Sequence, residues 1–172
     1  MIRRIQNIDL QFSQVLGELR FHPRLVSILK LFVRIGDGWF WPPIVFGIFL
    51  TRSPQEFYAI IAHCLAALGI SLAFYWPLKW KVRRLRPFQQ LSGVTAEVPP
   101  LDRFSFPSGH TMHNLAVGLT VAHYFPPALW PLAIMPVVWG LSRVFFGVHF
   151  LSDIIVGAVL GIFSFRLGQW VC

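Results

Sequence analysis

Charge is scarce in this chain. Only 13% of its 172 residues are Asp, Glu, Lys or Arg, against about 25% in ordinary soluble domains. Half of the usual solubilising surface is missing, which argues against a soluble enzyme and against a disordered chain. Carboxylates are the scarcer sign, with 7 Asp and Glu against 15 Lys and Arg and a formal net charge of +8. Cysteine is almost absent as well. Cys64 falls inside an apolar run and Cys172 is the last residue, so neither reads as disulfide or metal chemistry, and a disulfide-rich module is excluded. Internal repeats and low-complexity segments are lacking.

What is present in excess is apolar. Hydrophobic residues make up 55% of the chain and the mean hydropathy is +0.60. A single domain's worth of residues with that composition is an integral membrane protein. Its positive charge then sits in few places, where anionic lipid headgroups or phosphorylated substrates are the expected partners and nucleic acid is not.

A helix needs about 20 apolar residues to cross the hydrocarbon. Segments 57–78, 107–125, 128–147 and 150–171 meet that length, with joints such as Pro126-Pro127 between them. Upstream, two shorter apolar stretches, 25–34 and 39–50, flank Gly36-Asp37-Gly38. They read either as one long broken helix or as two short ones. In 2–20, Ile5, Ile8, Phe12, Val15, Leu16 and Leu19 are spaced to share one helical face, among Arg3, Arg4, Asp9, Glu18 and Arg20. That pattern predicts an interfacial amphipathic helix. The expected architecture is an all-α integral membrane bundle of five or six transmembrane helices. Residues 1–34 form its N-terminal interfacial region and 35–172 its core.

The one long hydrophilic connection, 79–106, holds Lys79, Lys81, Arg83, Arg84, Arg86 and Arg103 against only Glu97 and Asp102. Alone, it reads as a basic loop that anchors helix ends. Parity gives it more weight. When the four long segments alternate in direction, the end of the first, the start of the second, the end of the third and the start of the fourth share one face. Those termini carry Lys79 to Arg86, Ser108-Gly109-His110, Ser142-Arg143, and His149 with Asp153.

Asp153 is the only carboxylate after Asp102, and an ionisable group inside an apolar segment points to function with a partner. His149, four residues earlier, shares its helical face. The pair reads either as a carboxylate that fixes an imidazole tautomer or as a polar pair at a helix end. Pro107-Ser108-Gly109-His110 reads as a helix start, with backbone donors at its positive dipole end suited to an anion. His113 raises a metal alternative with His110, but an HxxH pair needs further ligands and the surrounding cations repel a metal. Arg86 and Arg143 offer planar donors for phosphate and Lys79 a point charge.

Lys79, six residues, Arg86-Pro87; then Pro107-Ser108-Gly109-His110; then Ser142-Arg143, five residues, His149, three residues, Asp153: this sequence resembles the three-part signature of the type 2 phosphatidic acid phosphatases, a superfamily shared with glucose-6-phosphatase and vanadium haloperoxidases. All three parts occur in order with the expected internal spacing. The resemblance implies His149 as nucleophile, Asp153 as its partner, and His110 as acid and then base. It implies phosphate binding by Lys79, Arg86, Arg143, Ser108 and the Gly109 amide, with no metal and no cofactor. The implied activity is a membrane lipid-phosphate phosphatase. Its expected substrate is undecaprenyl diphosphate, ahead of phosphatidylglycerophosphate, phosphatidate or the phosphate of lipid A. Phosphoryl transfer between lipids, or non-catalytic binding of anionic lipid, are the alternatives. The expected setting is a bacterial cytoplasmic membrane, with the active face toward the periplasm or the cell exterior.

Overall fold

A computed structural model describes residues 2–18 and 22–171, and its regular elements are all helical. Leu19, Arg20 and Cys172, which the sequence reading used, lie outside the described residues. Helix α1 (Ile2–Glu18) is followed by α2 (Pro23–Arg34), a π turn (Ile35–Trp39) and α3 (Trp41–Thr51). Then come α4 (Pro54–Val82), the single turn α5 (Pro87–Gln90), α6 (Gly109–Tyr124), α7 (Leu129–Phe145) and α8 (Leu151–Val171).

Local chemistry sets these boundaries. The Ser53 side chain caps α4, and Glu56 returns a bond to the Ser53 amide, a reciprocal pair that satisfies two orphan donors. Pro54 occupies the first turn, where a missing N–H costs nothing. The helix ends at Arg83 in the left-handed region, so Lys79 belongs to its last turns rather than to a loop. The two apolar stretches around Gly36-Asp37-Gly38 form a broken helix. Gly38 has φ 119°, a value that only glycine adopts without strain, and Asp37 lies in the π turn immediately before this kink.

Helix α4, helix α7 with the turn before it, and α8 are long and apolar enough to cross a membrane. Helix α6 is shorter, at 16 residues, and packs against α4, α7 and α8 at the centre of the bundle. Its mostly buried surface includes polar Thr111, Asn114 and Thr120, which suits a helix enclosed by protein rather than by lipid. The expected span 107–125 is therefore a buried central helix that begins two residues later.

Small residues bring α8 against α6. A Cβ added at Gly157 would lie 2.8 Å from the Ser108 carbonyl oxygen, and one at Gly161 would lie 2.7 Å from that of Met112. In lipid, where apolar side chains gain little by leaving the solvent, close backbone approach of this kind is what holds helices together. This seam sets the start of α8 beside the start of α6, and the Ser108 amide donates to the Asp153 carbonyl at 3.1 Å.

Helix α1 is amphipathic, but its polar side faces the bundle. Asp9 and Ser13 are buried while Ile5, Ile8, Phe12 and Val15 are exposed. Outward apolar residues on a membrane protein face lipid, and Asp9 turns inward because it finds donors there.

Candidate active site

The residues singled out from sequence meet at one end of the bundle. Lys79 lies in the last turn of α4, Arg86 precedes α5, Ser108 occupies the residue before α6, Arg143 lies in the last turn of α7, and Asp153 lies in the first turn of α8. Lys79, Arg86, Ser108, Arg143, His149 and Asp153 are all buried. His149 precedes α8 instead of lying on it. Its amide and that of Val148 donate to the Arg143 carbonyl at 3.3 and 3.1 Å, so the turn carrying the imidazole is tied to the end of α7.

The His149 Nδ1 atom lies 3.5 Å from Asp153 Oδ2. That is within ion-pair reach only when the ring is protonated and is beyond a hydrogen bond, and Nδ1 has no hydrogen-bond partner among the described residues. The same Oδ2 accepts from the Phe150 amide at 2.8 Å. Burial pushes the imidazole of His149 down to about 4, against the upward pull of Asp153 and with help from the Arg86 charge. The ring is neutral at physiological pH, so Nε2 keeps a free lone pair when Nδ1 carries the proton.

Two carboxylates that the motif does not contain hold the cations. Asp102 Oδ1 accepts from Lys79 Nζ at 2.7 Å and from an Arg86 terminal nitrogen at 2.8 Å, and Asp102 Oδ2 accepts from the Tyr75 hydroxyl. Burial pushes Asp102 upward, but the hydrogen bonds from Lys79 and Tyr75 and the neighbouring positive charges hold it below the usual carboxylate range. Asp37 Oδ1 accepts from His110 Nε2 at 2.7 Å and from Arg143. Asn114 fixes that arrangement: its side-chain nitrogen donates to the Gly36 and His110 carbonyls at 3.0 and 2.8 Å, and its oxygen accepts from Trp41 Nε1 at 2.7 Å. Sequence reasoning noted Gly36-Asp37-Gly38 only as a helix break. The signal that was available was a carboxylate between two glycines in an apolar region.

Other donors remain. Arg86 gives one terminal nitrogen to the Val148 carbonyl at 2.6 Å, yet the buried Nε atoms of Arg86 and Arg143 have no acceptor among the described residues. Buried guanidinium donors without acceptors are costly, and a phosphate oxygen is the acceptor their geometry suits. Ser108 is less free than its motif position suggests, because its hydroxyl accepts from Thr111 Oγ1 at 3.3 Å. His113 turns away to Ser71 Oγ, 2.7 Å from its Nδ1. Among the described residues no three His, Cys, Asp or Glu side chains gather as a metal site.

A cavity of about 530 Å³ adjoins this cluster through Asp37, Asp102 and His110. Asp37, Asp102 and His110 line its polar end, while Trp41, Ile48, Leu68 and Val121 are among the residues of its apolar remainder.

The PAP2 superfamily matches residues 60–171, the span that carries all three motif blocks. The decaprenylphosphoryl-5-phosphoribose phosphatase of Mycobacterium tuberculosis is 32% identical over 129 residues, covering 72% of this chain and 66% of its own length. This chain thus spans just under two thirds of that relative. The undecaprenyl-diphosphatase of Sulfolobus acidocaldarius is 33% identical over 160 residues, covering 91% of this chain and 75% of its own length. Among solved structures, Aquifex aeolicus LpxE superposes with a TM-score of 0.79 over 94% of both chains at 24% identity, which shows a common fold. With its helical membrane bundle and its motif residues gathered at one end, this chain belongs to the PAP2 superfamily.

Proposed function

We propose that this protein hydrolyses a lipid phosphate in the membrane through a phosphohistidine at His149. The observation that carries the reading is a buried cluster of Lys79, Arg86 and Arg143 whose carboxylate partners, Asp102 and Asp37, line a largely apolar cavity. A phosphate at the polar end takes the donors of Lys79, Arg86 and Arg143 that Asp102 and Asp37 now occupy, and the tail lies in the cavity.

In the first step the Nε2 lone pair of His149 attacks phosphorus and a P–N bond forms. The bond from phosphorus to the leaving oxygen breaks, and His110 gives that oxygen its proton. Asp153 stabilises the charge that builds on the His149 ring. In the second step His110 takes a proton from water, whose oxygen attacks phosphorus. The P–N bond breaks, its electron pair returns to His149, and inorganic phosphate leaves. The three cations and the Gly109 amide neutralise the equatorial oxygens in both transition states. That role needs no metal, which is why we assign none.

Two relatives named for polyprenyl substrates support a polyprenyl tail, and one of them, named for undecaprenyl diphosphate, supports the diphosphate. We place the active face toward the periplasm of a bacterial inner membrane, on the family resemblance and against the charge count of 79–106. A reporter fused after Cys172 should then be active in the cytoplasm, and activity only in the periplasm contradicts the orientation. The substrate is tested by phosphate release from purified undecaprenyl diphosphate, phosphatidylglycerophosphate, phosphatidate and lipid A, compared as kcat/KM. The highest value is expected for the diphosphate. Loss of substrate phosphate into another lipid, with none released to water, identifies a transferase instead.

A further inference from the structure

Arg84 lies outside the motif, since only Lys79 and Arg86 of the basic run have motif spacing. Even so, its guanidinium is bonded on both branches. One terminal nitrogen donates to Asp153 Oδ1 at 2.8 Å and to Ser152 Oγ at 2.7 Å. The other donates to Asp9 Oδ2 at 2.7 Å. The guanidinium carbon sits 4.0 Å from the centre of the Phe150 ring, and the backbone carbonyl of Arg84 accepts from the Ser105 amide at 2.9 Å. Asp9 comes from α1, far away in sequence, and is itself buried. Its Oδ1 accepts from the Ser152 amide at 3.1 Å and its Oδ2 from the Ser152 hydroxyl.

The division of Asp153 between its two oxygens is the key geometry. Oδ2 faces His149 and the Phe150 amide, while Oδ1 is held by Arg84. A carboxylate gripped at one oxygen cannot rotate the other away from the imidazole. The planar fork fixes the directions of its bonds to both carboxylates, whereas the ammonium of a lysine is a point charge without that fixed geometry.

We propose that Arg84 is a positioning residue that aims Asp153 at His149, and that helix α1 holds Arg84 in place through Asp9. The proposal rests on His149 being the nucleophile. It makes α1 part of the catalytic support: the helix that presents Ile5, Ile8, Phe12 and Val15 outward also completes a chain of contacts from Asp9 through Arg84 and Asp153 to His149. Membrane contact on one side of α1 and nucleophile alignment on the other are thus joined by a single helix.

The test uses the full-length protein in detergent, with Arg84→Gln, Arg84→Lys, Asp9→Asn and a His149→Ala control. Lipid diphosphate hydrolysis is measured across pH. Arg84→Gln is expected to lower kcat about 10- to 100-fold, the usual effect of losing an outer-layer orienting partner, with KM changed less than about threefold. The acid limb of its kcat profile should also move to higher pH. His149 is faced by Asp153, Arg86 and His110, and Asp153 by His149, Arg84, Lys79 and Arg86, so removing the Arg84 charge lets the His149–Asp153 pair keep a proton longer. Arg84→Lys should restore the pH profile but only part of kcat. Asp9→Asn should lower kcat less than Arg84→Gln, with the acid limb moved the opposite way, to lower pH, because loss of a negative charge beside the pair disfavours its proton. A folded Arg84→Gln protein with wild-type kcat and pH profile, beside an inactive His149→Ala, overturns the proposal and leaves the phosphatase reading standing. An inactive wild type or a fully active His149→Ala overturns both. Where Arg84→Gln does not fold, Asp9→Asn decides, and an unchanged kcat and acid limb in that variant overturns the proposal.

Discussion

Asp37 and Arg143, 106 residues apart in sequence, are joined by an ion pair in which Arg143 is buried, and the same carboxylate oxygen accepts from His110. If a phosphate binds as proposed, Asp37 occupies donors that its oxygen would take, and the Asp37 charge opposes an incoming anion. Asp37→Asn removes that charge but keeps an oxygen. Competitive inhibition by orthovanadate or inorganic phosphate is expected to tighten about tenfold, equivalent to about 1.4 kcal/mol. An unchanged or weaker inhibition constant shows that Asp37 does not compete with the anion.

The seam between α6 and α8 makes a second expectation. A side chain at Gly157 collides with the Ser108 carbonyl, and that residue's amide holds the Asp153 carbonyl. Gly157→Leu should separate the two helix starts, costing most of the activity and lowering the thermal midpoint in detergent. Gly69 has open space where its Cβ would be, so Gly69→Ala should be tolerated. Equal effects of the two changes would remove the seam from the account.

The burial of His149 sets a pH dependence whose sign follows from linkage. Its folded value of about 4 lies below the ordinary 6.5, so in that interval the unfolded chain binds a proton that the folded site refuses. Stability from this group is therefore complete above the ordinary value and declines as pH falls from there toward 4. Ring signals of specifically labelled His149 should show a neutral imidazole from pH 5 to 8. A midpoint above 6 contradicts this environment.

The second half of the chain was legible because its chemistry is spaced locally. Lys79 and Arg86, Ser108 and His110, and Arg143, His149 and Asp153 lie within short windows, and the alternation of apolar segments brings those windows to one face. Asp37, Asp102, Tyr75 and the Asp9–Arg84 contact were not legible in the same way. Each depends on a pairing between distant segments, and no periodicity encodes the meeting of α1 with the start of α8. The π turn at Gly36–Gly38 was visible as a break. That it presents a carboxylate to His110 depends on Asn114, a residue with no local pattern to mark it.

Activity should survive exhaustive chelation. Lys79, Arg86 and Arg143 already supply the positive charge that a divalent ion would bring, and His113 is engaged with Ser71 rather than aimed with His110 at a common point. A hard cation also needs several oxygen ligands, and Asp37, Asp102 and Asp153 are each bonded to an arginine. Phosphate release from a lipid diphosphate is to be measured after treatment with a strong chelator, with and without added magnesium or zinc. Loss of activity that metal restores would require His110 to be reassigned as a ligand.

The covalent intermediate is the most direct test of the central claim. Wild-type protein is mixed with a lipid diphosphate carrying labelled terminal phosphate, quenched in alkali within milliseconds, digested and mapped. Label stable to alkali and lost in acid is expected on the peptide containing His149, accumulating in His110→Ala if a more reactive leaving group is supplied. No label is expected in His149→Ala. Turnover by a folded His149→Ala protein, or label on a residue other than His149, would contradict the account.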